Sequence, residues 1–178
     1  MSDEGSPSPW KEVIWSPWRM EYIRQRRPDE CVFCEVARVG AENDRKNYVV
    51  YRGPLNYVVL NLWPYNNGHV MIVPYRHIID ITEMTDEEAL ETMAISKRIV
   101  MAYRKTMNAQ GVNIGYNLGT ASGGSIGHLH LHLVPRWVGD SNFMPVIGQT
   151  KILVEMLDET YDRLSADAAG WEREDRSE

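Results

Sequence analysis

The stretch GTASGGSIGHLHLHLVPRW, Gly119 to Trp137, decides how the chain reads. His128, His130 and His132 alternate with Leu129, Leu131 and Leu133, the period-two pattern of a half-buried β-strand. Side chains two apart on a strand share a face at a spacing of about 6.6–6.8 Å. Three imidazoles therefore line one face while three leucines enter a core on the other. The chain has only five histidines, and three of them are here. Upstream, Gly119, Gly123, Gly124 and Gly127 with Ser122 and Ser125 form a small-side-chain loop whose backbone N–H groups can face an anion. Histidines beside an anion nest point to phosphate chemistry. The plainer alternatives are a solvated strand face or a metal site alone.

Around this stretch, the 178 residues fit one domain with a real core. Hydrophobic content of 43% and charged content of 25% are ordinary for a globular chain. A formal charge of −6 argues against bulk binding to nucleic-acid backbones or anionic membranes. No run of about 18 apolar residues offers a membrane span. The opening MSDEGSPSPW is acidic and polar, unlike a signal peptide, so a cytoplasmic location is expected. Residues 1–9 read as a disordered tail and 10–165 as the domain, with residues 166–178 a charged, flexible end. Trp10, Trp15, Trp18 and Tyr22 make the first part of the domain an anchored aromatic arm.

A weak helix is expected near Glu35–Val39, then strands at Asn47–Tyr51, Tyr57–Leu62 and His69–Pro74 forming an antiparallel meander. Thr85 and Glu88 match a capping box that opens a helix running to about Lys105. Its cleanest stripe is Ala89, Met93, Ser96, Val100 and Tyr103, widened by Leu90 and Ile99. Val112–Asn117 is a fourth strand and the histidine run the fifth. Thr150 to about Leu164 reads as a last helix, with Ile152, Leu153, Met156, Leu157 and Tyr161 at helical spacing.

The only cysteines, Cys31 and Cys34, stand as C-V-F-C. Without an export signal a structural disulfide is not expected, and metal ligation is the stronger reading. It requires two further ligands, for which His69, His77 and the strand trio are open alternatives. For phosphate chemistry, an imidazole is a nucleophile near neutral pH if one nitrogen attacks while the other holds its proton against an acceptor. A second imidazole or backbone N–H groups would stabilise the phosphoryl oxygens. Activation of water by the same histidines and a metal-hydroxide hydrolase are the weaker mechanisms. Neither the Walker pattern nor G-x-G-x-x-G is present.

The run His128-Leu-His130-Leu-His132-Leu-Val134 resembles the signature of the histidine triad family. C-V-F-C, the N-L-W-P-Y-N-N-G-H run from Asn61 to His69, P-Y-R-H ending at His77, and N-L-G from Asn117 to Gly119 follow in family order. The resemblance implies an α+β fold: a five-stranded, mainly antiparallel sheet with a long helix and a C-terminal helix, usually in a homodimer. It implies nucleotidyl transfer or hydrolysis, with His130 the nucleophile, His132 on the α-phosphate or leaving oxygen, and His69 supporting the triad. His128 would complete a structural zinc site with Cys31, Cys34 and His77. Asn61 matches the ribose position; Asn117, Gly119 and Ser125 match the phosphate site. Gly124 stands where many dinucleoside polyphosphate hydrolases of the family carry glutamine, leaving space for a phosphate ion. The tail from Pro135 to Met144 is similar to bacterial diadenosine tetraphosphate phosphorylases, in which inorganic phosphate completes the reaction. Arg136 and Asn142 then fall on the phosphate side, Trp137 stacks on a base or covers a dimer seam, and Asp140 shapes a turn. A hydrolase of dinucleoside polyphosphates or nucleoside phosphoramidates, and a non-catalytic nucleotide-binding protein, are the alternatives.

Overall fold

Val49–Arg52 (β1) and Asn56–Leu60 (β2) fold back on each other around the Gly53-Pro54 turn. Val70–Pro74 (β3) continues the meander, Gly111–Tyr116 is β4, and Leu131–Arg136 is β5. The sheet runs β1-β2-β3-β5-β4, and every neighbouring pair is antiparallel. Residues 31–124, 126–140 and 153–171 are described in this computed structural model. The aromatic arm from Trp10 to Ile23 lies outside them.

Alternation along the strands builds two cores. Val58, Leu60, Val70, Ile72, Leu131 and Leu133 pack on one face, beneath Asp86–Met107 (α3) and Leu157–Ala168 (α4). Tyr57, Val59, Met71 and Val73 pack on the other with Phe33 of Val32–Arg38 (α1). His132 pairs with Met71 on one side and Gly115 on the other, so it belongs to the second face. Gly115 brings no side chain beside it, which keeps that flank of the imidazole open.

The expected strands are present with shifted ends. Asp44–Asn47 is a single helical turn (α2) closed by Tyr48 at φ 56°, and β1 starts after it. The histidine run differs more. Only His132 lies in the ladder; His128 and His130 precede it, in a segment whose Leu129 N–H donates to Ile78 O at 2.6 Å. All three histidines and all three leucines are buried, so this is not a strand with a wet face.

Helix α3 opens with the expected capping box, in which Glu88 N–H donates to Thr85 Oγ1 and Thr85 N–H to Glu88 Oε2. Ser96, Ile99 and Tyr103 face inward as expected, together with Ile95 and Ala102, but in the first half of the helix the buried side is turned one residue, to Glu88 and Thr92. Ala89, Leu90 and Met93 face outward instead. The reason is local hydrogen bonding. Thr92 donates its hydroxyl to the carbonyl four residues earlier, as Ser96 of the expected stripe also does, so this small polar side chain buries with no donor unmet. Glu88 is held inward by the cap and by Arg76.

Helix α4 starts at Leu157, not at Thr150, with Met156 at its cap and Glu159 bonding back to it. It also outlasts the expected boundary at 165: Ala168 and Trp171 are buried in the first core. Trp171 carries too much apolar surface to leave wet, and its ring meets that of Tyr51 at a tilt, 5.0 Å between centroids, with Arg98 over it.

The Asn66-Asn67-Gly68 turn joins distant parts. Asn66 donates to Pro135 O and to Asp140. Asn67 donates to Glu155 O and accepts from Val154 N–H, pairing with backbone ahead of α4 as another strand would. Gly68, at φ +80°, admits no side chain, since a Cβ would meet Met107 and Pro135 at 2.9 Å. Among the described residues no helix is long and apolar enough to cross a membrane.

Candidate functional site

Five histidines and two thiols divide into two clusters by what each ring nitrogen meets. His130 Nδ1 lies 2.7 Å from His128 O. A carbonyl only accepts, so Nδ1 carries the proton and Nε2 keeps its lone pair. None of the described residues engages that Nε2. The ring is walled by Phe33 at 5.1 Å and by His132 at 4.7 Å.

His132 has the opposite tautomer. Tyr65 N–H donates to His69 Nδ1 at 3.0 Å, so His69 carries its proton on Nε2. That proton is directed to His132 Nδ1, 2.9 Å away. His132 Nε2 is then an N–H donor on the open side, and the Asn117 side-chain amide lies 3.4 Å from it, where its oxygen and not its NH2 must face that donor. Burial pushes His132 down to about 4, with His130 adding to the shift. Burial, then His132 and His130, push His69 to about 3. Burial lowers His130 as well, against its bond to His128. At neutral pH the cluster is a set of uncharged imidazoles with fixed tautomers: one lone pair and one donor side by side.

The second cluster is Cys31, Cys34, His77 and His128, whose donor atoms all lie within 4.8 Å of one another. His128 Nε2 lies 3.0 Å from Pro74 O and must donate to it, leaving Nδ1 as a lone pair facing the thiols. Cys31 and Cys34 sulfurs are 3.3 and 3.5 Å from that Nδ1, and Cys34 is 3.2 Å from His77 Nδ1. A tetrahedron of zinc–sulfur and zinc–nitrogen bonds has edges of about 3.3–3.8 Å. The donor set, spacing and outward-bonded imidazole fit such an ion. Without one, burial and the neighbouring Cys31 push the Cys34 thiol up to about 11.

Residues 42–138 match the HIT domain model. The chain belongs to the HIT domain family. An AP-4-A phosphorylase of Mycobacterium tuberculosis is 39% identical over 166 residues, covering 88% of this chain and 84% of that protein. An uncharacterized HIT-like protein of Methanocaldococcus jannaschii is 33% identical over 121 residues, 68% of this chain and 89% of its own. Among solved structures, a Zn-bound histidine triad family protein of Mycobacterium smegmatis superposes with TM-score 0.65 at 28% identity, over 81% of this chain and 96% of that one. As a HIT-family chain, its site carries nucleotide-binding and phosphoryl-transfer chemistry.

Within this HIT site, the remaining expectations divide. Asn117 stands beside His132, whereas Asn61 is bonded inside the cluster, with its amide 3.3 Å from His69 Nδ1. The glycine loop does not form the expected nest over 122–124. The N–H groups of Ser122 and Gly124 donate to Gly119 O, and that of Gly123 to Thr120 O, in a tight turn. Nor does Gly124 leave a hole: a Cβ there would meet Gly119 O at 2.8 Å and Asn117 O at 3.1 Å. Glycine is required because the backbone doubles back on it. Arg136 is spent on Asp140 through Nε and one terminal nitrogen and on Asn113 through the other. Asp140 also accepts Trp137 N–H, as a turn former does. Trp137 packs on the first core and donates its indole N–H to Met107 O, closing the end of α3 instead of facing a base. Ser125 and Asn142 lie outside the described residues.

Three contributors went unread in the sequence. Tyr65 supplies the backbone N–H that sets His69, and its ring lies 4.8 Å from His69 and 5.8 Å from His132. Phe33, between the two cysteines, touches both His128 and His130. Pro74 supplies the carbonyl behind His128. The signals were the tyrosine four residues before His69 and the aromatic inside C-V-F-C; a backbone carbonyl leaves none.

Proposed function

We propose that this chain transfers a nucleotidyl group through a histidine-bound AMP, and that its reaction is phosphorolysis of diadenosine tetraphosphate to ADP and ATP. The observation that carries the reading is the His130 tautomer, whose Nδ1–H is committed to the His128 carbonyl while Nε2 holds a lone pair beside the His132 donor. In the first step Nε2 forms a bond to the α-phosphorus, the bond to the bridging oxygen breaks, and ATP leaves. His132 Nε2–H donates to a phosphoryl oxygen as charge builds. In the second step an oxygen of inorganic phosphate attacks the same phosphorus, the P–N bond breaks, and ADP is released. The choice of phosphate over water rests on the likeness to the AP-4-A phosphorylase, because Gly124 opens no anion space. Asn117 and Gly119 border the phosphate side in this reading, joined by Ser125 and Asn142.

Cys31, Cys34, His77 and His128 would hold a structural zinc ion, which ties the Cys knuckle to the residue whose carbonyl orients His130. Four protein ligands leave that ion no open position for substrate. A homodimer belongs to the same reading, since among the described residues β4 ends the sheet with no strand beyond it and Ile114 is exposed upon it. Light scattering showing a monomer at micromolar concentration would remove it.

Incubation with diadenosine tetraphosphate, with and without phosphate, tests the reaction. ADP and ATP are expected only when phosphate is present. AMP and ATP formed without phosphate would make the protein a hydrolase.

A further inference from the structure

The His69–His132 pair has its far end closed. Trp63 N–H donates to one end of the Asn61 amide at 2.9 Å, which must therefore be the oxygen. The other end, the NH2 group, then faces His69 Nδ1 at 3.3 Å, and Tyr65 N–H faces the same nitrogen at 3.0 Å. Two donors converge on one lone pair. A proton placed on His69 Nδ1 would oppose both of them inside a buried cluster.

We infer that Asn61 and the Tyr65 amide lock His69 as its Nε2–H tautomer, so the pair offers substrate a hydrogen bond but no net proton. The site then takes substrates whose leaving group departs as an anion. For His132 to release its Nε2 proton, it must take the His69 proton on Nδ1. His69 must in turn be refilled at its own Nδ1, and that position is closed. A polyphosphate leaves as a stable anion when the bond from the α-phosphorus to the bridging oxygen breaks and the electron pair stays on oxygen. An amine leaving from a phosphoramidate takes the pair on nitrogen and needs a proton as it goes. Asn61 is on this account a positioning residue for the histidine pair. The consequence for substrates rests on the proposed nucleotidyl transfer; the lock itself does not.

Nitrogen-15 spectra of the intact protein without nucleotide test the lock directly. His69 and His132 are expected to carry their protons on Nε2, and an Nδ1–H signal from His69 would overturn it. Single-turnover rates with diadenosine tetraphosphate and an adenosine phosphoramidate test the consequence. The polyphosphate is expected to react about 10²–10⁴-fold faster, the usual worth of a missing general acid. Equal rates would overturn the substrate preference. Asn61→Asp puts an acceptor opposite Nδ1, so the proton should move there and the rate ratio narrow. An unchanged His69 tautomer in the folded variant would overturn the role of Asn61. Failure of both compounds to react would overturn nucleotidyl transfer together with the preference, while the spectra alone decide the lock.

Discussion

His128 and His130 are two residues apart and both buried, yet they belong to different chemistry. His128 gives its Nε2 proton to Pro74 O and turns Nδ1 toward two thiols. His130 gives its Nδ1 proton to the His128 carbonyl and keeps Nε2 for the open side. The two clusters that grow from them differ in the same way. Cys31, Cys34, His77 and His128 converge four lone pairs on one point, which suits a cation. His69, His130 and His132 alternate donors with lone pairs, which suits an electrophilic phosphorus ringed by oxygens. A backbone carbonyl, placed by the chain next to one ring nitrogen or the other, decides which kind of site an imidazole joins.

That contrast breaks most visibly at His130. His130→Ala is expected to lower turnover at least about 10⁴-fold while nucleotide still binds, measured by single-turnover kinetics and calorimetry. Near-normal turnover would mean that the lone pair is not the nucleophile. At the other cluster, Cys31→Ser with Cys34→Ser should abolish bound zinc by elemental analysis and lower the melting temperature. An ion present at a thousand times its Kd stabilises by about 4 kcal/mol, and that is the scale of the loss expected. Absence of metal from the unmutated protein would end the zinc proposal.

Acid sharpens the comparison further. The imidazoles of His69 and His132 sit well below the ordinary value of 6.5, at about 3 and about 4. As pH falls below 6.5 the unfolded chain takes up protons first, so stability falls from there down toward pH 4 and is flat above. Each of these histidines adds a slope of up to about 1.4 kcal/mol per pH unit. Urea unfolding across pH 4 to 8 on metal-free protein measures this, and a flat profile would contradict the burial of the pair. The smallest effect belongs to Arg136, which faces neither cluster. Arg136→Met should cost about 1 kcal/mol or less and leave the apparent affinity for inorganic phosphate within about twofold. A tenfold loss would restore Arg136 to the phosphate side.

Much of this is legible in the sequence. Alternation of His with Leu placed three leucines inside, and Thr85 with Glu88 announced the start of α3. The resemblance brought Cys31, Cys34, His77 and His128 together, where spacing alone left the histidine ligands open. What was not legible depended on partners without a pattern. The inward side of the first half of α3 differs because Thr92 satisfies its hydroxyl on its own helix and Glu88 is held by the cap and Arg76, which hydrophobicity does not register. Small polar residues at helical spacing read as surface until their acceptors are known. The glycine loop reads as open because glycine is permissive, whereas Gly124 is glycine for the opposite reason, a carbonyl standing where its Cβ would be. Trp171 was lost among charged neighbours, since a single large apolar residue makes no period.

The turn at Asn66 and Asn67 has a bearing on how the protein is made. Asn67 completes its hydrogen bonds with Val154 and Glu155, the latter 88 positions further along the chain. His69 N–H in turn bonds Asn66 O within that same turn. During synthesis the triad strand therefore emerges from the ribosome well before the segment that fastens the turn ahead of His69. Until residue 155 has emerged, a nascent chain can pair its strands, but this turn lacks one of its fastenings. A chain cut short before that point would hold every residue of the histidine cluster and still lack the tie at its edge.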